Sequence, residues 1–348
     1  MPGVVLIGRT CGNRDLPGRL SVATTCPWHG AEDRGTRAAR THTRKPRTIT
    51  VTDLTSQLLA ELRSPSEPAR RTLVTGWFSF LDGEVTAGDA LACRRVEAAL
   101  GAAGLAYDTA WSPVFAPGAL SLADADPSAY DVLLFVCGPI HGEQVERLHS
   151  RFSGCRRIAA GVSVVDPADP AVTGFHTVVA RDGGDPWPRP DLALTAPLGP
   201  LPPVAGVALT FGQGEYGAGR RHEAVGEALT RWLGRQDCAR VDADTRLDSG
   251  DWRRPATAEQ YLALVSRLDI VVTTRLHGLV LALRAGTPVL AVDPVEGGAK
   301  VTAQARALGW PALLGAGEVD DAHLDRWWRW CLSPDGREAA RSAAREER

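Results

Sequence analysis

Residues 268–301 decide the fold, and their sequence is LDIVVTTRLHGLVLALRAGTPVLAVDPVEGGAKV. Residues 270–273 are apolar and mostly β-branched, which predicts a buried strand, and residues 289–292 predict a second one. Between them, residues 278–285 place apolar side chains on one face, as in a helix packed on a sheet. Gly286 ends this helix, because glycine readily adopts the left-handed conformation of a C-terminal cap. This strand, helix and strand predict a parallel sheet covered by helices.

The polar residues of this segment fall between the first strand and the helix. In open α/β sheets, ligands bind at this edge, and the free N–H groups of the helix favour an anion. Arg275 adds a permanent positive charge, and His277 can exchange a proton near neutral pH. The pattern therefore predicts an anion site with a proton donor beside it. The alternative is an arginine and a histidine that serve only solubility or helix capping.

These residues carry a resemblance to a known family. Arg275-Leu276-His277-Gly278, a short apolar helix, Gly286-x-Pro288, a strand and then Lys300 resemble the polysaccharide pyruvyl transferases. The resemblance is strong over residues 257–312 and weaker upstream to about residue 70. It implies two Rossmann-like α/β domains whose parallel sheets face a cleft, as in the GT-B glycosyltransferases. It also implies a transferase that moves pyruvate from phosphoenolpyruvate onto sugar hydroxyls of a cell-envelope or exopolysaccharide glycan, as a ketal.

The resemblance assigns roles within the expected donor site. Phosphoenolpyruvate carries a carboxylate and a phosphate, so several fixed cations are needed, and the candidates are Arg275, Arg181 and Lys300. His277 is the expected general acid, which protonates the methylene carbon of the donor. Thr274 and Gly278 are the remaining expected contacts in this domain. Phosphoenolpyruvate is the donor substrate, and neither a cofactor nor a metal ion is expected.

The chain length of 348 residues allows two domains. We expect a Rossmann-like domain over residues 49–195 on the acceptor side and a second one over residues 196–315 that holds the donor. Within the first domain, the ordered part is expected to begin at Arg71, and residues 156–165 are expected to form a pair of strands with a turn. Residues 316–348 are expected to form a helix that crosses back to the first domain. Residues 1–48 are basic, which predicts a disordered extension, although a mis-assigned start codon is an alternative.

Three candidate residues lie in the first domain, and each has a structural alternative. Asp89 matches an aspartate of the family motif, in which Thr86 replaces an asparagine, but Asp89 can equally cap the following helix. His141 follows the strand predicted at residues 130–136, where it can contact a sugar hydroxyl or have no role. Arg181 matches an arginine that helps to hold the donor anion, and the alternative is a surface salt bridge with Asp182.

Composition restricts the class of protein and its partners. A net charge of −2 gives no electrostatic case for nucleic acid. The seven cysteines are odd in number and lack a C-x-x-C pair, which favours a reducing, cytoplasmic location. No apolar run approaches the roughly 18 residues that span a membrane. The expected partners are phosphoenolpyruvate and a glycan or lipid-linked sugar acceptor, while peripheral membrane association and the oligomeric state stay open.

Two rival functions remain at this point. A nucleotide-sugar glycosyltransferase on the same fold would need a carboxylate for the ribose, and Glu296 is the candidate. An inert glycan-binding relative is the other, because Cys137 and Pro139 interrupt the glycine turn of the family, and Pro139 has no N–H group. The glycine-rich residues 212–219 lack the lysine of a P-loop, and we interpret them as a mobile lid.

Overall fold

The computed structural model describes residues 52–63, 71–183 and 188–346. The predictions for residues 1–48 lie outside these ranges. Two β-sheets organise the described residues, and every pair of neighbouring strands within them is parallel. Helices cover both sheets, which confirms the predicted fold class of two parallel-sheet α/β domains.

The first sheet is built from residues before the Pro-rich connector. Its strands are β1 (Arg71–Thr75), β2 (Ala106–Thr109), β3 (Val132–Val136), the short β4 (Pro139–Ile140), β5 (Arg156–Val164) and β6 (Thr177–Asp182). They follow the order β2-β1-β3-β5, with β4 and β6 both paired to β5. The helices are α1 (Thr52–Leu62), α2 (Ala87–Ala102), α3 (Glu143–Arg151) and α4 (Pro170–Thr173).

The second sheet follows the connector. Its strands are β7 (Val204–Ala208), β8 (Ala239–Asp242), β9 (Ile270–Thr273), β10 (Val289–Asp293) and β11 (Leu313–Gly315), in the order β11-β10-β9-β7-β8. Its helices are α5 (His222–Arg235), α6 (Ala258–Val265), α7 (Leu276–Arg284), α8 (Lys300–Ala307), α9 (Asp321–Leu332) and α10 (Pro334–Glu346).

The two sheets share one topological feature. In each, the first strand lies between the second and the third, so the chain reverses its direction across the sheet at β1 and at β7. Loops diverge at such a reversal, and the crevice between them at the carboxyl ends of the strands is where ligands bind in this kind of sheet. The fold therefore offers one crevice between β1 and β3 and another between β7 and β9.

The segment that decides the fold has the predicted structure. β9, α7 and β10 follow one another, and the strands are fully buried. Gly286 has a φ of +77°, the left-handed conformation expected after the helix. β9 and β10 lie in a single apolar core with one face of α7, to which Leu279 and Leu283 contribute. Burial of this helix face, rather than helix propensity alone, stabilises so short a helix.

Two local predictions were wrong. We expected the ordered chain to begin at Arg71, but α1 precedes it and buries Leu54, Leu58 and Leu62, which are spaced four residues apart on one helical face. A pair of strands with a turn was expected at residues 156–165, but β5 is one continuous strand. The register of β5 shifts near Gly161, where φ is +69°, so the irregularity is a bulge instead of a turn.

The C-terminal helices pack differently from the prediction. We expected residues 316–348 to cross back to the first domain. In the structure, α9 contacts β10, and α10 contacts α7 and α9. The ring of Trp328 packs edge to face against the ring of Trp232 in α5, with 5.4 Å between the ring centroids. Both residues belong to the apolar core of the second sheet. Three tryptophans near the end of the chain therefore extend the second core.

No helix in the described ranges is long and apolar enough to cross a bilayer.

Candidate functional site

The amino end of α7 is the first part of the candidate site. Arg275 is the N-cap residue, and its side chain makes no capping hydrogen bond. Its backbone N–H instead donates to Thr273 Oγ1 at 3.0 Å, and this hydroxyl donates to Ala208 O at 2.8 Å. The first turn of α7 thus begins at the crevice between β7 and β9 without a carboxylate to cap it. Such a helix end attracts an anion through its free N–H groups and its dipole.

Thr274 and Gly278 have structural roles that account for their presence. Thr274 is buried, and its Oγ1 accepts a hydrogen bond of 2.7 Å from Thr210 N, which ties together the loops after β7 and β9. Gly278 is also buried, and a Cβ atom placed there would lie 2.2 Å from Thr273 Oγ1. The glycine therefore allows α7 to pack closely on β9. Their predicted contact with substrate stays a prediction.

Arg275 lies in a group of charged residues that sequence reasoning missed. Its Nε donates to Leu209 O at 3.2 Å, and its Nη2 lies 3.4 Å from Asp244 Oδ1. Asp244 follows β8, and it also pairs with Arg246 at 3.0 Å and with Arg254 at 3.2 Å. Burial disfavours ionisation of Asp244, but a backbone hydrogen bond and the surrounding arginines together lower its pKa. Arg254 also lies 3.9 Å from Asp251, so Arg275, Arg246 and Arg254 share two carboxylates at this edge.

His277 is exposed on the first turn of α7, two residues after Arg275. Its ring forms no hydrogen bond or ion pair with the described residues. Both ring nitrogens are therefore available to a ligand or to water. An imidazole at the positive end of a helix, near fixed cations, can transfer a proton to a bound anionic molecule.

Lys300 is the first residue of α8. Its Nζ donates to Gln213 Oε1 at 2.9 Å and lies 5.6 Å from the centre of the Tyr216 ring. The amino end of α8 already has an anion from the chain itself, because buried Asp293 accepts hydrogen bonds from Ala299 N at 2.7 Å and Thr302 N at 2.8 Å. Of these two helix ends, α7 is the one open to an external anion.

The remaining predicted site residues are Asp89, His141 and Arg181. All three line a cavity of about 490 Å³ at the carboxyl edge of the first sheet. The cavity lies by the crevice between β1 and β3. The residues that bring chemistry to it are Trp77, Glu84, Asp89, His141, Arg181 and Asp191. The structure therefore separates the predicted site residues into one group on each sheet, with Arg181 in the group on the first.

Arg181 is held by two carboxylates and a hydroxyl. Its Nε donates to Asp182 Oδ2 at 2.8 Å, its Nη2 donates to Ser163 Oγ at 2.6 Å, and its Nη1 pairs with Asp191. The hydrogen bond from Arg181 lowers the pKa of Asp182. Three of the five N–H donors of the guanidinium are engaged, and its charge is more than compensated. Asp191, which sequence reasoning missed, belongs to this arrangement.

Asp89 forms a capping box with Thr86 at the start of α2. Its Oδ2 accepts hydrogen bonds from Thr86 N at 3.2 Å and from Thr86 Oγ1 at 2.7 Å, while Asp89 N donates to Thr86 Oγ1 at 3.2 Å. The capping alternative is therefore present, and the same carboxylate also lines the cavity. Asp89 joins Glu84 and Asp191 around the single Arg181, so the first cavity has an excess of carboxylates.

Aromatic rings form another part of this cavity. The exposed His141 ring lies 5.2 Å from the half-buried Trp77 ring, and Trp77 Nε1 donates to Pro139 O at 2.7 Å. Cys137 adopts a φ of +68°, and burial, with a contribution from Asp89, raises its pKa to about 12. The altered turn thus holds a buried neutral thiol, and Pro139 within it has no N–H group to offer a ligand. Trp77 was not predicted, although an aromatic residue directly after a strand is a recognisable signal.

Two further observations concern the alternatives. Glu296, the candidate carboxylate for a nucleotide ribose, is ion-paired with Arg221 at 2.6 Å. In the described ranges, no group of three His, Cys, Asp or Glu side chains has an arrangement that could hold a metal ion.

The sequence matches a family model over part of its length. Residues 231–294 match the model described as polysaccharide pyruvyl transferase. The matched segment runs from α5 to the end of β10 and includes Arg275 and His277, which confirms the resemblance carried by these residues. The match supports a transferase.

Solved structures that align with the chain include several glycosyltransferases. The glycotransferase of kitacinnamycin has 13% sequence identity, and the alignment covers 80% of this chain and 95% of that chain, with a TM-score of 0.30. Spinosyn rhamnosyltransferase SpnG in complex with thymidine diphosphate has 12% identity, with coverage of 79% and 95% and a TM-score of 0.28. SnogD from Streptomyces nogalater has 14% identity, with coverage of 80% and 94% and a TM-score of 0.26. No curated protein matches the chain.

Proposed function

We propose that the protein is a polysaccharide pyruvyl transferase that moves pyruvate from phosphoenolpyruvate to two hydroxyls of a glycan as a ketal. The observation that carries this proposal is the amino end of α7. There, Arg275 and His277 lie on a helix turn, and among the described residues His277 has no hydrogen-bond partner and the turn has no carboxylate cap. The matched family segment contains both residues. The glycan belongs to a cell-envelope polysaccharide or exopolysaccharide, either free or linked to a lipid.

The donor binds at the carboxyl edge of the second sheet in this proposal. Phosphoenolpyruvate is anionic at both its carboxylate and its phosphate, and this edge combines the free N–H groups of α7 with Arg275. Lys300, across the loop after β10, supplies a further positive charge. The three arginines around Asp244 add to the positive potential, which also speeds the approach of an anion.

The acceptor binds in the cavity on the first sheet. Carboxylates accept hydrogen bonds from sugar hydroxyls, and Asp89, Asp191 and Glu84 are placed to do so. The rings of Trp77 and His141 offer an apolar surface to the C–H face of a sugar. The excess negative charge disfavours an anionic donor in the same cavity. We therefore assign Arg181 to holding Asp191 and Asp182 in place for the acceptor.

The proposed reaction balances in protons and bonds. His277 donates a proton to the methylene carbon of phosphoenolpyruvate, which becomes a methyl group, and the adjacent carbon becomes electrophilic. A first sugar hydroxyl attacks this carbon and releases its proton, which restores the imidazolium. The bond to phosphate then breaks, a second hydroxyl attacks the same carbon, and its proton leaves with the phosphate. The products are the pyruvyl ketal and inorganic phosphate, without any oxidation or reduction.

The cysteines support a reducing compartment for this reaction. The five cysteines in the described ranges, at positions 93, 137, 155, 238 and 331, are all buried free thiols. Unpaired thiols are typical of proteins that work in the cytoplasm. We place the transfer there, which is also where phosphoenolpyruvate is expected to be available.

Calorimetric titration with phosphoenolpyruvate, with UDP-glucose as the comparator ligand, tests the proposal. We expect the protein to bind phosphoenolpyruvate and not UDP-glucose, and Arg275→Ala to lose most of this affinity. Arg284→Ala, at the exposed carboxyl end of the same helix, is the matched control and should bind normally. Binding of UDP-glucose alone would overturn the proposal in favour of glycosyl transfer.

A further inference from the structure

We propose that Gln213 and Tyr216 are positioning residues that hold the Lys300 ammonium toward the donor anion without neutralising it. The inference rests on the proposed function and adds the glycine-rich residues 212–219 to the donor site. Nothing in the matched family segment includes these residues, which precede it.

The loop after β7 is anchored to the loop after β10 at its carboxyl end. Glu296 N donates to Gly219 O at 2.8 Å, and Arg221 N donates to Pro294 O at 2.9 Å. The ion pair of 2.6 Å between Arg221 and Glu296 closes the same junction. These bonds fix residues 219–221 against the segment that leads into α8. The carboxyl end of the loop therefore has a defined position relative to the segment that carries Lys300.

Gln213 reaches Lys300 from an unusual backbone conformation. Its φ of 59° and ψ of 61° are left-handed, a region that residues other than glycine rarely occupy. The carboxamide oxygen of Gln213 accepts the 2.9 Å hydrogen bond from Lys300 Nζ. Backbone strain of this kind persists only where the surrounding structure enforces it, and it is concentrated at functional sites.

Tyr216 supports the lysine from a second direction. The Lys300 Nζ lies 5.6 Å from the centre of the Tyr216 ring, within the range of a cation–π interaction. The Tyr216 ring in turn stacks on the buried His222 ring, with centroids 6.0 Å apart and planes at 24°. Because His222 begins α5, the ring that faces Lys300 is fixed to the body of the second domain.

The partners of Lys300 differ from those of the other candidate cations. Arg181 pairs with two carboxylates, and Arg275 lies 3.4 Å from Asp244. Among the described residues, Lys300 forms no ion pair with a carboxylate, and its ammonium group lies against the amide oxygen of Gln213 and the ring of Tyr216. A neutral acceptor directs an ammonium group but leaves its full charge available, whereas a carboxylate would cancel it. The geometry therefore makes Lys300 the candidate cation with the most charge left for a ligand anion.

Two substitutions at Gln213 separate charge from shape. Gln213→Glu has nearly the same shape but places a carboxylate on Lys300, and we expect about fivefold weaker binding of phosphoenolpyruvate. This loss should shrink at high salt, because the new ion pair is exposed and screened. Gln213→Met is similar in length and neutral, and we expect it to lose about twofold. The measurement is the Kd for phosphoenolpyruvate by calorimetry at low and at high salt.

A pair of variants at Tyr216 provides an independent check. Tyr216→Phe retains the aromatic face and should bind phosphoenolpyruvate like the wild type. Tyr216→Leu removes the cation–π contact and should weaken binding about two- to threefold. Circular dichroism and thermal melting confirm that each variant is folded.

The possible outcomes distinguish this inference from the proposed function. A wild-type protein that does not bind phosphoenolpyruvate overturns both. If the wild type binds and Gln213→Glu has the same Kd, the positioning role is wrong while the proposed function stands. A Gln213→Met variant as weak as Gln213→Glu would also overturn the inference, because shape rather than charge would then matter.

Discussion

The two sheets have the same order of strands around their first strand, but their carboxyl edges carry different sets of charged side chains. At the first edge, several carboxylates surround Arg181. At the second edge, three arginines surround Asp244. The backbone thus provides a crevice at an equivalent place in each sheet, and the side chains determine what each crevice attracts. Fold alone does not give function, and here the difference lies in a few charged residues on loops.

The largest expected effect concerns the only proposed acid. We predict that His277→Ala lowers turnover by about 10²- to 10⁴-fold, the usual contribution of a general acid, while the Kd for phosphoenolpyruvate changes little. The measurement is phosphate release from phosphoenolpyruvate with a panel of methyl glycosides of glucose, galactose and mannose. His323→Ala, on the exposed first turn of α9, is the control.

His141→Ala tests whether the first sheet binds the acceptor while the second sheet carries the chemistry. Since His141 belongs to the first cavity, its loss should raise the KM for the glycoside more than it lowers kcat. Equal turnover in His277→Ala and wild type would contradict the assignment of chemistry to the second edge.

The next largest effect is on stability. Gly278→Ala places a Cβ 2.2 Å from Thr273 Oγ1 in a buried contact, and we expect the free energy of unfolding to fall by about 1 to 3 kcal/mol. Gly234→Ala, within α5, meets no atom within 4 Å and should raise stability by roughly 0.5 to 1 kcal/mol. Urea denaturation measures both. A Gly278→Ala protein as stable as wild type would show that α7 can move away from β9.

The sequence predicted the segment around α7 well, for physical reasons. Buried parallel strands consist of continuous apolar residues, and a glycine marks the end of the helix, so residues 268–301 contain their own boundaries. The prediction failed at α1, whose leucines at positions 54, 58 and 62 have helical spacing but lie beside a basic stretch that we took to be disordered. It also failed at Gly161, because a bulge and a turn have similar sequences.

The sequence indicated that Arg275 and His277 lie at the carboxyl edge of a sheet, but it did not show Asp244, Asp191 or Trp77. Arg275 and His277 follow a strand directly, and this position alone indicates a role. The pairing of Arg275 with Asp244 depends on two loops that are distant in sequence and meet only because β7 lies between β8 and β9. The contacts of Lys300 depend in the same way on the path of residues 212–219. Which residues neutralise a charged side chain therefore depends on the three-dimensional fold and cannot be read from a single sequence motif.

A smaller effect tests the role of Arg181. We predict that Arg181→Lys raises the KM for the best methyl glycoside about fivefold and leaves the Kd for phosphoenolpyruvate unchanged. Lysine keeps the charge but cannot bind Asp182, Asp191 and Ser163 together, so the carboxylates of the first cavity lose their fixed positions. Arg284→Lys, at the end of α7 in the second domain, is the matched control and should change neither constant. Weaker phosphoenolpyruvate binding with an unchanged KM would instead make Arg181 a donor ligand, and the two edges would then share one anion.

The smallest effect reports the burial of Cys137 at the first edge. Burial, with a contribution from Asp89, raises the pKa of Cys137 to about 12 from a usual value near 9.0. The unfolded chain therefore loses this proton above pH 9, whereas the folded protein keeps it. As a result, the stability contributed by the neutral thiol is complete below pH 9 and falls as the pH rises toward 12. Between pH 8 and pH 10, wild type should lose about 1 kcal/mol more unfolding free energy than Cys137→Ser, as measured by urea denaturation. An equal loss in both proteins would mean that the thiol ionises as freely in the folded protein as in water, which would contradict its burial at the first edge.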